Sequence, residues 1–177
     1  MESATQSKQD ALYNESASSH GAALERLARA YELNEERRRD LLQEIHLALW
    51  RSFSGFEEQC SLRTWIYRVA HNVAATHVVR DRRGKTRTFV SLDEIDAMPS
   101  AHDTEAQTDR RQALAQLLAL IHRLEPLERQ VILLYLEGFD AASIGEITGI
   151  SAGNVATRIH RIKKLLADRF RQGARNA

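Results

Sequence analysis

Within DAASIGEITGISAGNVATRIHRI, residues 140–162, four side chains able to meet a nucleic acid recur at helical spacing: Asn154, Thr157, Arg158 and Arg161. Arginine pairs with guanine edges or phosphates and asparagine with adenine; each good bidentate contact in a major groove contributes roughly 1–3 kcal/mol of discrimination. A second set lies in SLRTWIYRVAHN, residues 61–72, where Arg63, Tyr67, Arg68 and His71 share a stretch with Leu62, Ile66 and Val69. A helix serving only a core needs the aliphatic residues and has little use for the cations and rings.

The elements that must position these groups read as helices throughout. The chain has only two prolines and eight glycines, its apolar residues recur at three- and four-residue spacings, and strand-like alternation is absent over any useful length. The expected fold class is therefore all-α, with two small helical domains joined by an acidic flexible linker. Residues 1–20 are Ser-rich and weakly patterned and are expected to form a loose tail. A helix over Ala22 to Tyr31 follows, then one over about Glu36 to Trp50 with Leu42, Ile45 and Leu49 on its stripe. Ser61 can cap a third helix whose inward face is Leu62, Trp65, Ile66, Val69 and Val73, leaving Arg63, Tyr67 and His71 outward. The small residues from Asn72 to Thr76 allow a turn before HVVRDRR resumes as a basic helix.

A net charge of +1 conceals blocks of opposite sign. Phe89 to Asp109 holds six acidic residues and neither Lys nor Arg, between the basic stretches RDRRGKTR and RIHRIKKLLADRFR. That segregation fits an acidic connector, 89–109, with a short helix at SLDEI, between a module over 21–88 and another over 110–177, each meeting a polyanion. In the second module Leu114, Leu117, Leu118, Ile121 and Leu124 make one helical face. Pro126 suits the first turn of the next helix, which carries Val131, Leu134 and Tyr135. Asp140 and Ser151 are N-caps of a helix-turn-helix, Gly149 supplies its left-handed turn, and Gly145 sits where its two helices cross; Val155, Ile159 and Ile162 point inward.

Other chemistries are poorly supplied. Among seven histidines no two stand four apart, and Cys60 has no thiol partner, so neither a metal site nor a disulfide is expected. No phosphate-cradling glycine loop or nucleophile elbow is present. No apolar run approaches the roughly 18 residues of a membrane span and the N-terminus lacks the apolar stretch of a secretory signal, so a cytoplasmic protein without membrane insertion is expected.

The two modules together resemble an RNA polymerase sigma factor of the extracytoplasmic-function group in the sigma-70 family. The resemblance lies in DLLQEIHLALWRSFSGFEEQCSLRTWIYRVAHNVAATHVVR for region 2 and LIHRLEPLERQVILLYLEGFDAASIGEITGISAGNVATRIHRIKKLL for region 4. It implies a non-enzymatic initiation factor without cofactor, whose partners are promoter DNA, core RNA polymerase and, as a candidate, an anti-sigma factor. On this resemblance Asp40, Gln43, Glu44 and Leu47 would face the clamp helices of the polymerase's largest subunit, and the second module the flap of the second-largest. Arg63, Tyr67, Arg68, His71, Asn72, Thr76, His77 and Arg80 would meet the −10 element, with 71–77 as a loop capturing a flipped base and Asn72 foremost. Ser151, Asn154, Thr157, Arg158 and Arg161 would read the −35 element, while the acidic segment would thread the RNA channel. Two departures stand out: Ala156 replaces the Lys or Arg common in related factors, and YELNEERRRDLLQE is more basic than usual. The alternative reading is a polymerase-independent helix-turn-helix regulator, which would have no need of RTWIYRVAHN.

Overall fold

The computed structural model describes the backbone of residues 2–84 and 106–175 and the side chains of 6–80 and 113–169. The chain divides into two compact units, Met1–Thr86 and Arg87–Ala177. The first holds helices α1 (Glu2–Tyr31), α2 (Glu35–Ser52) and α3 (Leu62–Gly84), with a 3-10 turn at Phe53–Gly55. The second holds α4 (Ala106–Arg123), α5 (Pro126–Leu136), α6 (Ala141–Thr148) and α7 (Ala152–Arg175). Among the described residues every regular element is helical, and no helix is long and apolar enough to cross a membrane. The acidic stretch through Glu105, with SLDEI, lies outside the described residues; its last four residues, 106–109, open α4.

The expected loose tail is helix instead, continuous with the helix expected from Ala22. Its hold on the unit is largely polar, which an apolar-periodicity reading does not detect. Gln9 is buried and its amide donates to the Trp50 carbonyl at 2.7 Å; Trp50 Nε1 donates to Asp10 Oδ1 at 2.9 Å; Tyr13 and His46 share a hydrogen bond at 3.2 Å. The serines that suggested disorder bond within the helix, Ser16 Oγ to the Leu12 carbonyl and Ser18 Oγ to that of Glu15.

Helix α2 is capped at both ends. Asn34 Oδ1 accepts from the Arg37 amide; at the other end Gln9 and Ser54 donate to the Trp50 and Arg51 carbonyls, which a helix C-terminus leaves unpaired, and the Leu49 carbonyl takes both the Phe53 amide and Ser52 Oγ. Its buried stripe is Leu41, Ile45 and Leu49, with Leu42 half-buried at the edge. The surplus of arginines also finds a reason: Arg37 lies 2.7 Å from the buried carboxylate of Glu32, and Arg39 pairs with Glu35.

In the second unit Pro126 opens α5 as expected. Ile121 and Leu124 are buried, Leu117 and Leu118 half-buried and Leu114 half-exposed, so the α4 face is sealed mainly at its C-terminal end. There Arg129, also buried, donates to the carbonyls of Ile121, His122 and Leu124, satisfying the end of α4 with a cation where the helix dipole is negative. Of the three residues named on α5, Val131 and Leu134 are buried, while Tyr135 is exposed and accepts from Lys163 Nζ at 3.3 Å.

Candidate nucleic-acid interface

The helix-turn-helix forms as its residue types demand. Asp140 accepts from the Ser143 amide at 2.8 Å, and that backbone hydrogen bond holds its carboxyl below the usual range. Gly149 takes φ 79°, the left-handed C-cap, and a Cβ on Gly145 would stand 2.7 Å from the Ile150 carbonyl oxygen. The tight crossing thus requires glycine. Ser151 Oγ accepts the Asn154 amide at 3.3 Å and starts α7, which buries Val155, Ile159, Ile162 and Leu165.

Opposite that stripe, Ser151, Asn154, Thr157 and Arg161 are exposed and Arg158 is half-buried, as their spacing predicts. Three more polar groups, His160, Lys163 and Lys164, are also exposed on this helix, and Lys164 is one more step along the 154–157–161 row. Ala156 is exposed too, so the missing cation is missing from the surface rather than from the core. Thr157 spends its hydroxyl on the Gly153 carbonyl at 2.9 Å.

Helix α3 is positioned otherwise. Ser61 caps it, accepting the Thr64 amide at 3.0 Å, but the helix then runs unbroken to Gly84, so 71–77 is a helical segment and not a loop. Its inward face is Ile66, Tyr67, Ala70, His71, Ala74 and Val78, turned by about a third of a turn from the stripe that aliphatic residues and Trp65 suggested. Tyr67 and His71 are only 2% and 1% exposed, which overturns their expected outward role. The physical reason is α1: Tyr31 Oη and His71 Nδ1 lie 3.0 Å apart, and the His20 ring meets Tyr67 edge-on at 6.1 Å. Burial drives the His71 pKa down to about 3, so the ring is neutral.

The outward face of α3 consists of Asn72, Thr76, Val79 and Arg80, all exposed, with Arg68 half-buried beside them. Trp65, Val69 and Val73, expected inside, are only half-buried; Trp65 leans on Phe56, with ring centroids 5.3 Å apart, and donates to Ser52 Oγ at 3.0 Å. A reading that followed the spacing Trp65–Arg68–Asn72–Thr76–Val79 could have found this row. Arg63 is exposed with its guanidinium 5.9 Å from the Tyr67 ring centroid, and His77 is largely buried, its Nε2 3.7 Å from Glu32 Oε2.

On α2, Asp40, Gln43 and Leu47 are exposed, Leu47 by 47%. Glu44, expected among them, joins Arg80 of α3 at 2.5 Å. Residues assigned to two different surfaces therefore meet in one ion pair.

The comparisons with known proteins agree with this architecture. The family model for Sigma-70 region 2 matches residues 17–84 and that for Sigma-70, region 4 matches 114–166, so every site residue discussed lies within a match. RNA polymerase sigma factor CarQ of Myxococcus xanthus is 30% identical over 123 residues, 69% of this chain and 68% of that one. ECF RNA polymerase sigma-E factor of Haemophilus influenzae is 27% identical over 138 residues, 74% of this chain and 73% of the relative. The solved structure of CnrH with the cytosolic domain of CnrY superposes with a TM-score of 0.64 at 21% identity, covering 94% of this chain and 92% of that one. The chain belongs to the sigma-70 family. Within it, this is a sigma factor of the extracytoplasmic-function group, which directs RNA polymerase to promoters.

Proposed function

We propose a division of labour between the two units. Asp40, Gln43 and Leu47 on α2 dock on the clamp helices of the polymerase's largest subunit, and Glu44 borders that surface while holding Arg80. The outward face of α3, with Arg68, Asn72, Thr76 and Arg80, meets the −10 element; Arg63, exposed in the first turn, lies on the Tyr67 side of the helix and off that face. Asn72 remains the leading candidate for an unstacked base: its amide is exposed in mid-helix, and the half-exposed Trp65 lies on the same side. Tyr67 and His71 act from within, holding α3 against α1. His77, beside buried Glu32, does the same. The second unit sits on the flap of the second-largest subunit and lays α7 in the major groove at the −35 element.

The observation that carries this reading is the row Asn154–Thr157–Arg161 exposed on α7 opposite fully packed Val155 and Ile162, a helix built to be read from one side. An anti-sigma protein is a further proposed partner; a structurally similar sigma factor, RpoE, was solved with the anti-sigma factor NepR from Bartonella quintana. The protein carries out no catalysis of its own in this scheme.

The test is to reconstitute the protein with core RNA polymerase and transcribe a genomic promoter library. New, specific transcripts are expected, and Asn72→Ala should keep polymerase binding while lowering permanganate reactivity of the melted −10 bases. Operator binding by the protein alone, with no polymerase binding, would instead indicate an ordinary helix-turn-helix regulator.

A further inference from the structure

Three side chains link the buried side of the second unit to the exposed face of α7. Glu128, in the first turn of α5 and buried, lies with Oε1 3.4 Å from an Arg158 terminal nitrogen. Arg158 in turn donates from Nε to Asn154 Oδ1 at 3.0 Å. Because a guanidinium has donors only, the Asn154 atom it meets must be the carbonyl oxygen, and the NH2 end is the one left for a ligand. The second lone pair of that oxygen sits beside a cation, which disfavours an approaching N–H donor.

We infer that Glu128 is a positioning residue for −35 recognition: through Arg158 it fixes the Asn154 amide as a hydrogen-bond donor, so that Asn154 selects an acceptor edge such as guanine over adenine. This rests on the reading of α7 as the −35 helix. Adenine recognition by asparagine needs the carbonyl to accept from N6 while the NH2 donates to N7; guanine offers acceptors only, at N7 and O6. The arrangement also occupies Arg158, whereas Arg161 on the same face is exposed and meets the groove directly. An asparagine that looks ambiguous in sequence thus acquires one polarity from a carboxylate on another helix.

The experiment is transcription by reconstituted holoenzyme from a promoter library randomised across the −35 element. Asn154→Ala identifies the base position that this residue governs. At that position the unaltered protein is expected to favour guanine over adenine by about fivefold or more. Arg158→Met, which keeps the aliphatic stem, and Glu128→Leu should both bring the ratio towards parity or towards adenine, leaving the preferences at the other −35 positions unchanged. Glu128→Gln, which still offers an acceptor, should retain most of the preference. A purely structural role for Glu128 would lower transcription from all promoters without altering base ratios, and that result overturns the inference, as would adenine preference in the unaltered protein or an unchanged ratio in Arg158→Met. If the unaltered holoenzyme transcribes from the library with no −35 preference at all, the reading of α7 falls and this inference with it.

Discussion

Helices α3 and α7 are both proposed to meet DNA, yet only one of them presents the face that its spacing suggests. In α7 the buried positions Val155, Ile159, Ile162 and Leu165 are large aliphatics on one stripe, which buried Arg169 continues, and the opposite side is polar or small. One packing solution exists. In α3 the aliphatics Leu62, Val69 and Val73 make one stripe, while Tyr67, Ala70, His71 and Ala74 make another. The second stripe wins because α1 supplies partners for it: Tyr31 for the His71 nitrogen and an edge of His20 for Tyr67, while Ala70 and Ala74 between them are fully buried. The lesson is that ring and amphipathic residues on a helix do not announce which side they will take until the neighbouring helix is known.

The sharpest way to break the contrast is to disturb α7's only solution. Gly145→Val should destabilise the second unit by about 3 kcal/mol, because the new side chain collides with the Ile150 carbonyl rather than with a movable side-chain tip. Both tryptophans, Trp50 and Trp65, lie in the first unit, so denaturant unfolding followed by far-UV circular dichroism should shift while the tryptophan fluorescence transition stays in place. A matching shift in both signals would mean that the two units do not unfold separately.

Next in size is the pH response of α3. The unfolded chain protonates His71 below about pH 6.5, whereas the folded unit resists protonation down to about pH 3. Stability from this residue is therefore complete above pH 6.5 and declines as the pH falls towards 3, by about 2 kcal/mol at pH 5. Tryptophan-monitored denaturation across pH 5–7 should show that decline, and His71→Phe should flatten it. An identical decline in the variant would assign the acid sensitivity to other groups and undo the buried placement of His71.

A smaller effect tests the outward side. Arg161→Ala should weaken −35 duplex binding by holoenzyme about tenfold and lower the salt dependence by about one phosphate contact. Tyr67→Phe, altering a residue on the inward side of α3, should leave the salt dependence untouched. Titrations at several salt concentrations distinguish them; equal slopes for Arg161→Ala and the unaltered protein would remove Arg161 from the interface.

The least effect is expected at the segment outside the region 2 match. Gln9→Ala should cost the first unit about 1 kcal/mol through the lost bond to the Trp50 carbonyl. No change in the tryptophan-monitored midpoint would mean that residues 2–16 add little to folding, and the contrast between the units would then rest on α1 beyond Ala17 alone.

Much was legible without coordinates. The all-helical class, the two modules, the Pro126 start, the Asp140 and Ser151 caps, the Gly149 turn and the polar row on α7 follow from local rules, since a cap or a left-handed turn involves residues within one helical turn of each other. The two-region order was equally readable as a sigma-factor pattern. Tertiary packing alone decided the rest: the helical N-terminus held by polar bonds, the inward turn of Tyr67 and His71, the meeting of Glu44 with Arg80, and the link from Glu128 through Arg158 to Asn154. Each joins residues on different helices, 30 or more positions apart except for the step along α7 itself. Periodicity along one helix carries no information about which partner stands across from it, and where two stripes are nearly equal in apolar character, the partner makes the choice.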